Sequence, residues 1–273
     1  MEDHTEFGRM ERQGWSDDAT AAAYASGFAS AARHCVPALV HAVGARAGSA
    51  ALDLCCGHGV VAAGLLASGA TVTGVDFSPA MLALARALVP GVEFLEGDAT
   101  DLPFGDATFD AVTMGFGILH IPDAERALAE ARRVLRPGGR FAYSVWHGPE
   151  RSAAFRIVFD CIAAHGDPSV TLPPGPATHA YADADFAFAA LEAAGFSAPR
   201  LETADSHWIV DDPGRPFDHF SEGTVRGAFL LRNQPEANRV AIRAAVGEAV
   251  RAELGPDGPW RVAIPAAIVS ATA

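Results

Sequence analysis

Long apolar runs are missing from this 273-residue chain. No uninterrupted stretch reaches the roughly 18 apolar residues of a membrane-spanning helix. The opening residues, Met1 to Asp18, are polar and mostly acidic, without the charged-then-apolar order of an export signal. The expectation is a cytoplasmic protein with no membrane partner. Cysteine is scarce: Cys35, Cys55, Cys56 and Cys161 lack the paired C-x-x-C spacing of a zinc site, and a reducing compartment disfavours disulfides, so free thiols and no bound metal are expected. Positive charge is scarce too. Twenty Lys and Arg stand against 33 Asp and Glu, a net charge of −13, which repels a phosphate backbone and excludes nucleic acid as a partner. Internal repeats are absent.

Apolar residues make up 50% of the chain, enough for one sizeable core with an appended substrate-binding region. Between Ala50 and Trp146 short apolar runs alternate with helical stretches. ALDL (51–54), TVTGV (71–75), VEFL (92–95), FDAVTM (109–114) and RFAYSVW (140–146) read as five strands. They lack period-two alternation, as parallel strands covered on both faces do, and the crossovers between them require helices such as Pro79–Leu88 and Asp123–Leu135. Arg136-Pro137-Gly138-Gly139 reads as a helix stop and turn. Ahead of this block, Asp18–Val43 reads as one amphipathic helix. Behind it come helices at Ser152–Ala164 and Asp183–Ala194, a strand at Arg200–Val210, a helical insertion over Phe217–Leu254 and a last strand at Trp260–Thr272. The fold class is therefore α/β, with an N-terminal helical segment or lid at 1–46, a cofactor-binding core at 47–147 and an acceptor-side half with a helical cap at 148–273, all within one domain.

The first strand ends on Asp53 and runs into the turn Leu54-Cys55-Cys56-Gly57-His58-Gly59. Glycine there lets a ligand approach the backbone, and the helix that follows offers free N–H groups. Alone, Gly57-x-Gly59-x-x-Ala62 is equally a dinucleotide turn. The surroundings separate the two. Asp76 follows Asp53 by 23 residues and Asp98 follows Asp76 by 22, so three carboxylates emerge at the C-terminal ends of successive strands, where open α/β sheets bind ligands. Asp53 would oppose a pyrophosphate pressed on the turn, whereas a nucleoside bearing an ammonium and a sulfonium would welcome it.

ALDLCCGHG, VTGVDFSPAML, GDATDLPF, FDAVTMGFGILHI and RRVLRPGGRF together resemble the successive motifs of class I S-adenosylmethionine-dependent methyltransferases, in particular a small-molecule branch that includes ubiquinone-biosynthesis C-methyltransferases. The likeness covers about Ala50 to Trp146. It implies a seven-stranded, mostly parallel sheet with helices on both faces, an antiparallel last strand and a helical cap, with the last two strands forming an antiparallel edge. It implies S-adenosylmethionine as cofactor: Asp53, Gly57 and Gly59 along the methionine portion, Asp76 on the ribose, Phe77 and Met81 flanking the adenine, Asp98 and Ala99 at its amino edge, and Met114, Gly115 and Phe116 near the reacting methyl. Cys55 stands where the family commonly has glycine, a replacement that a negative φ would tolerate.

His120 and His147 follow the fourth and fifth strands and are the candidate general bases for an acceptor. Tyr24, Phe116 and Trp146 are candidates to line an apolar or aromatic small-molecule acceptor, and each is equally readable as core. Phe217, Phe220, Phe229 and Leu230 mark the insertion as a cap or a homodimer surface. The rival functions are an NAD(P)-dependent oxidoreductase or epimerase, and a non-catalytic cofactor-binding protein of the same fold.

Overall fold

The computed structural model describes residues 4–273. Its helices are α1 (Thr5–Trp15), α2 (Asp18–Ala23), α3 (Ala29–Ala32), α4 (Val36–Val43), α5 (Val60–Ala67), α6 (Pro79–Leu88), α7 (Ala124–Val134), α8 (Ala153–His165), α9 (Ala184–Ala193), α10 (Arg215–Gly223), α11 (Val225–Arg232) and α12 (Glu236–Leu254). Its strands are β1 (Ala50–Leu54), β2 (Thr71–Asp76), β3 (Glu93–Glu96), β4 (Phe109–Gly115), β5 (Leu135–Trp146), β6 (Ser197–Ala204), β7 (His207–Val210), β8 (Trp260–Ala263) and β9 (Ala266–Thr272). No helix among the described residues is long and apolar enough to cross a membrane.

Two compact units emerge. One contains residues 32–146, 176–204 and 266–273, and with them a seven-stranded sheet in the order β3-β2-β1-β4-β5-β9-β6. The expected α/β class holds: β1 to β5 pair in parallel, and β9 runs antiparallel to both β5 and β6. The last two strands of the sheet in chain order, β6 and β9, form the expected antiparallel edge, β9 pairing with β5 on one side and with the edge strand β6 on the other. Alternation sorts the sheet's two faces. Leu52, Leu54, Val112 and Met114 share a core with Leu128 and Ala131 of α7 and Leu191 of α9. Asp53, Thr113 and Gly115 point the other way, where the position a Gly115 side chain would take meets Val61 of α5 and Leu39 of α4. α4 lies close on α5 because Gly64 has no side chain: a Cβ there would sit 2.4 Å from Val36 Cγ1.

The other unit contains residues 4–31, 147–175 and 205–265. Its centre is aromatic. The Trp208 indole donates to the Phe28 carbonyl at 3.1 Å, and both rings pack against Phe220. A buried ion pair, Arg226 Nε to Glu11 Oε1 at 2.8 Å, ties α11 to α1. A two-stranded ribbon of β7 and β8 completes it.

Four expectations need correction. The single helix over Asp18–Val43 is instead α2, a π-turn (Tyr24–Phe28), α3, a 3₁₀ turn (Arg33–Cys35) and α4. Pro37 has no N–H to bond Arg33, so α-geometry breaks just before α4. The strand over Arg200–Val210 is two strands, β6 in the main sheet and β7 in the ribbon; Trp260–Thr272 likewise divides into β8 and β9, with Pro265 unable to donate to a ladder at the division. The helical insertion over Phe217–Leu254 is present as expected, as α10, α11 and α12. Arg136–Gly139 is not a free turn but an irregular start of β5: the register jumps from Phe109↔Leu135 to Ala111↔Arg140, and Gly138 N donates to the Ala273 carbonyl at 3.0 Å.

Gly→Ala in a helix interior ordinarily stabilises by about 1 kcal/mol. At Gly64 the clash with Val36 reverses the sign, and G64A is expected to destabilise by about 1–3 kcal/mol in urea unfolding.

Candidate functional site

β1 and β4 are in parallel register, with Asp53 opposite Thr113, so both side chains leave the sheet on the α4/α5 side. Both are fully buried. Thr113 Oγ1 donates to Asp53 Oδ1 at 3.1 Å, while Asp53 Oδ2 has no hydrogen-bond partner. Loss of water raises the cost of the charged carboxylate, and the nearby negative charge of Asp76 adds to it. The Thr113 hydroxyl and a weaker interaction with the Ala62 N–H act against this, leaving the carboxyl pushed up to about 7.

Asp76 ends β2 and stabilises the turn from beneath. Its Oδ2 accepts from Gly57 N at 2.8 Å and its Oδ1 from Ser78 N at 2.9 Å, and Ser78 in turn caps α6 by accepting from Met81 N. Burial raises the Asp76 pKa; the Ser78 and Gly57 N–H bonds, and then the nearby His120 imidazole, oppose that rise. The space where a Gly57 side chain would sit is open to 4 Å, and Gly57 has φ +51°, so the turn presents bare backbone. Gly59 (φ +85°) abuts Ala85 of α6.

Cys55 departs from its expectation. Its φ is +53°, in the left-handed region where a side chain is strained, rather than negative. Its side chain fills the room left by Gly117, whose Cβ would lie 2.5 Å from Cys55 Cβ; Cys56 Sγ instead faces Gly74. One side chain therefore packs on the segment after β4 and the other on β2. Burial, then Asp76, Asp53 and Asp98, push the Cys55 pKa far up, so it is a thiol and not a nucleophile.

Asp98 Oδ1 accepts from Thr100 N at 2.9 Å and Thr100 Oγ1 at 2.8 Å, closing a turn after β3 that leaves Asp98 half-buried and Ala99 buried. Phe77 is half-buried at the end of β2 and Met81 is buried in the first turn of α6. Asp53, Cys55, Gly57, Gly59, Asp76, Phe77, Met81, Asp98 and Ala99 all lie at the C-terminal ends of β1, β2 and β3. Met114 is fully buried in the α7/α9 core, Gly115 ends β4, and Phe116 (φ +57°) donates its N–H to Ser144 Oγ and stacks on Trp146 with ring centroids 3.9 Å apart.

His120 ends a 3₁₀ turn (Ile118–His120) after β4, half-buried and within electrostatic reach of Asp76. His147 and Tyr24 belong to the other unit. His147 is buried and donates its N–H to the Pro265 carbonyl, and Tyr24 stacks on Phe28 within the π-turn. Two residues of the site were not singled out in the sequence. Thr113 is detectable as the one hydroxyl inside the apolar run FDAVTM. His58, between the turn glycines, is buried; burial first and the positive charge of Arg33 second push it down to about 4, so it is neutral at pH 7. Among the described residues no group of three or more His, Cys, Asp or Glu is arranged to hold a metal ion.

This donor set suits a cation: a buried carboxylate with an unmatched oxygen, a second carboxylate under a bare glycine turn, and a third half-exposed beside them. Residues 52–143 match the family described as a methyltransferase domain. Over 115 residues the chain is 45% identical to a demethylmenaquinone methyltransferase of Clavibacter sepedonicus, covering 41% of this chain and 47% of that one. Over 108 residues it is 46% identical to the chloroplastic 2-phytyl-1,4-beta-naphthoquinone methyltransferase of Arabidopsis thaliana, covering 36% of this chain and 41% of that one. The chain thus spans less than half the length of these two curated relatives. In three dimensions it resembles the [4+2]-cyclase SpnF, with a TM-score of 0.55, 22% identity, and coverage of 90% of this chain and 83% of that one. That likeness is of fold alone, and it carries a different reaction.

The carboxyl of Asp53 is raised from near 3.9 in the unfolded chain to about 7. Its protonated form is the one the fold favours, so ligand-free stability is full at low pH and falls as pH rises between those values, by up to about 4 kcal/mol. Urea unfolding from pH 5 to 8 is expected to record that decline, and D53N to flatten it. Replacing the strained Cys55 by glycine, C55G, is expected to add about 1 kcal/mol.

Proposed function

We propose that this chain, whose residues 52–143 are a methyltransferase domain, transfers the methyl group of S-adenosylmethionine to a small aromatic or apolar acceptor. The observation that carries the reading is Asp53: fully buried, half-satisfied, beside two more carboxylates, with no cation of the protein bonded to it. A ligand with an ammonium group offsets the cost of burying that charge, and one with a pyrophosphate aggravates it.

The bound cofactor supplies an electrophilic methyl group on a sulfonium. The protein's part is alignment for an in-line displacement, which alone lowers the barrier by roughly 7–11 kcal/mol. In this reading Asp53 holds the ammonium, and Asp76, already fixed by two backbone N–H groups, directs its remaining lone pairs to the ribose hydroxyls. Phe77 and Met81 sandwich the adenine while Asp98 and the Ala99 backbone read its amino edge. Gly57 and Gly59 keep the turn bare for the methionyl chain, and Gly115 and Phe116 border the methyl. Phe116, stacked on Trp146, gives the acceptor a rigid aromatic wall. His120 removes a proton where the acceptor is an enol or phenol.

The relatives named as quinone methyltransferases favour a quinol-like acceptor, with residues 47–147 binding the cofactor and residues 1–46 and 148–273 the acceptor. Four free thiols suit a reducing cytoplasm. Hydride chemistry of the Tyr-x-x-x-Lys kind has no support, because the chain contains no lysine at all.

Isothermal titration with S-adenosylhomocysteine, beside NAD and NADP, tests the reading. Micromolar binding of the first alone is expected, weakened at least about tenfold in D76A by loss of charge-assisted hydrogen bonds. Binding of a dinucleotide instead would overturn it. As the ammonium arrives, Asp53 gives up its proton, so titrations at pH 7 in two buffers of different ionisation enthalpy should report net proton release. Methylation of a demethylmenaquinol analogue then tests the acceptor class.

A further inference from the structure

The insertion's Phe217 and Phe220 are buried, so they offer no surface to a second copy of the chain. An open edge lies instead in the unit that holds the main sheet. β6 ends that sheet, and among the described residues no strand pairs with its outer side. Which of its backbone groups face outward follows from the ladder. Ala273 N donates to the Gly139 carbonyl in the register that sets Thr272 opposite Arg140, so odd-numbered residues of β9 bond β5 and even-numbered ones bond β6. Ser270 and Ile268 stand opposite Arg200 and Glu202, whose N–H and C=O groups therefore face β9. Leu201, between them, turns its N–H and C=O outward, a template for another strand.

The charges beside that template are self-complementary. Arg200 and Glu202 share one face of the strand, are exposed, and make no ion pair among the described residues. When a second β6 pairs antiparallel about a two-fold axis at Leu201, Arg200 falls directly opposite the partner's Glu202, and the same contact recurs across the axis. Leu201 exchanges both backbone bonds with the partner's Leu201. The neighbouring registers, centred on Arg200 or on Glu202, set like charges opposite each other and are disfavoured. Ala198 (φ +50°), Pro199 and the register shift between Ser197 and Arg200 end the regular edge on its N-terminal side.

α9 adds area to this edge. Its Ala187 and Leu191 share a core with Leu201. Its Phe186, Ala189 and Ala193, three and four residues apart, form an exposed apolar flank, Phe186 being 48% exposed. A two-fold axis normal to the sheet keeps α9 and its copy on the same side. That flank then extends a strand pair that is small beside the roughly 1,200 Å² of a specific interface.

We infer that the chain forms a two-fold homodimer in which β6 pairs antiparallel with the β6 of a second copy, centred on Leu201, so that the two main sheets become one.

Sedimentation equilibrium at micromolar concentration is expected to return twice the 28.3 kDa of one chain. R200E and E202R each create two like-charge pairs across the axis, and each is expected to weaken the dimer at least about tenfold. The double reversal R200E/E202R brings opposite charges back together only where position 200 faces position 202 of the partner, so it is expected to recover the wild-type dimer. Both side chains are exposed, and their replacement leaves the core of each subunit intact. A monomeric wild type, a dimer indifferent to both single reversals, or a double reversal no tighter than the singles would overturn the assignment.

Discussion

A carboxylate removed from water, with one oxygen held by Thr113 and the other unmatched, sets the terms for everything around it. Asp53 is costly to the empty protein because neither burial nor its acidic neighbours favour its charge. Such a group persists where a ligand supplies what the chain withholds, and an account that treats it as structure alone leaves its exposed cost unexplained. Its position follows from parallel pairing. The register of β1 on β4 fixes Thr113 beside it, the register of β1 on β2 brings Asp76 to the same edge, and the turn after β3 adds Asp98.

The glycine turn is supported from below by the same chemistry. Asp76 accepts the Gly57 N–H, so the residue proposed to hold a ribose also fixes the backbone over which the ligand lies. Strain collects at this edge. Cys55 and Phe116 both adopt positive φ without being glycine, one at the end of β1 and the other at the end of β4, and Gly117 exists to admit the Cys55 side chain. Left-handed backbone at two non-glycine residues costs of order 1–3 kcal/mol each, a cost found mainly where function over-determines geometry.

Much of this was legible in the sequence. The five parallel strands, the helices between them and the three strand-end aspartates follow from apolar runs of limited length and from carboxylates at regular intervals, signals set by local chemistry. The pairing of Thr113 with Asp53 was not legible, because it depends on register between strands 60 residues apart. Nor was the division of Arg200–Val210 and Trp260–Thr272 each into two strands, since apolar continuity hides a change of sheet. The break at Arg33–Cys35 was signalled by Pro37 but overridden by the amphipathic period of the whole segment. The conformation of Cys55 ran against residue preference altogether, as tertiary packing against Gly117 decided it.

A crystal structure of the protein with S-adenosylhomocysteine tests the central claim most directly. The account predicts the ligand along the C-terminal ends of β1 to β3, its ammonium within hydrogen-bond reach of Asp53 and its ribose hydroxyls on Asp76. A ligand bound away from Asp53, or with its ammonium turned from that carboxylate, would contradict it.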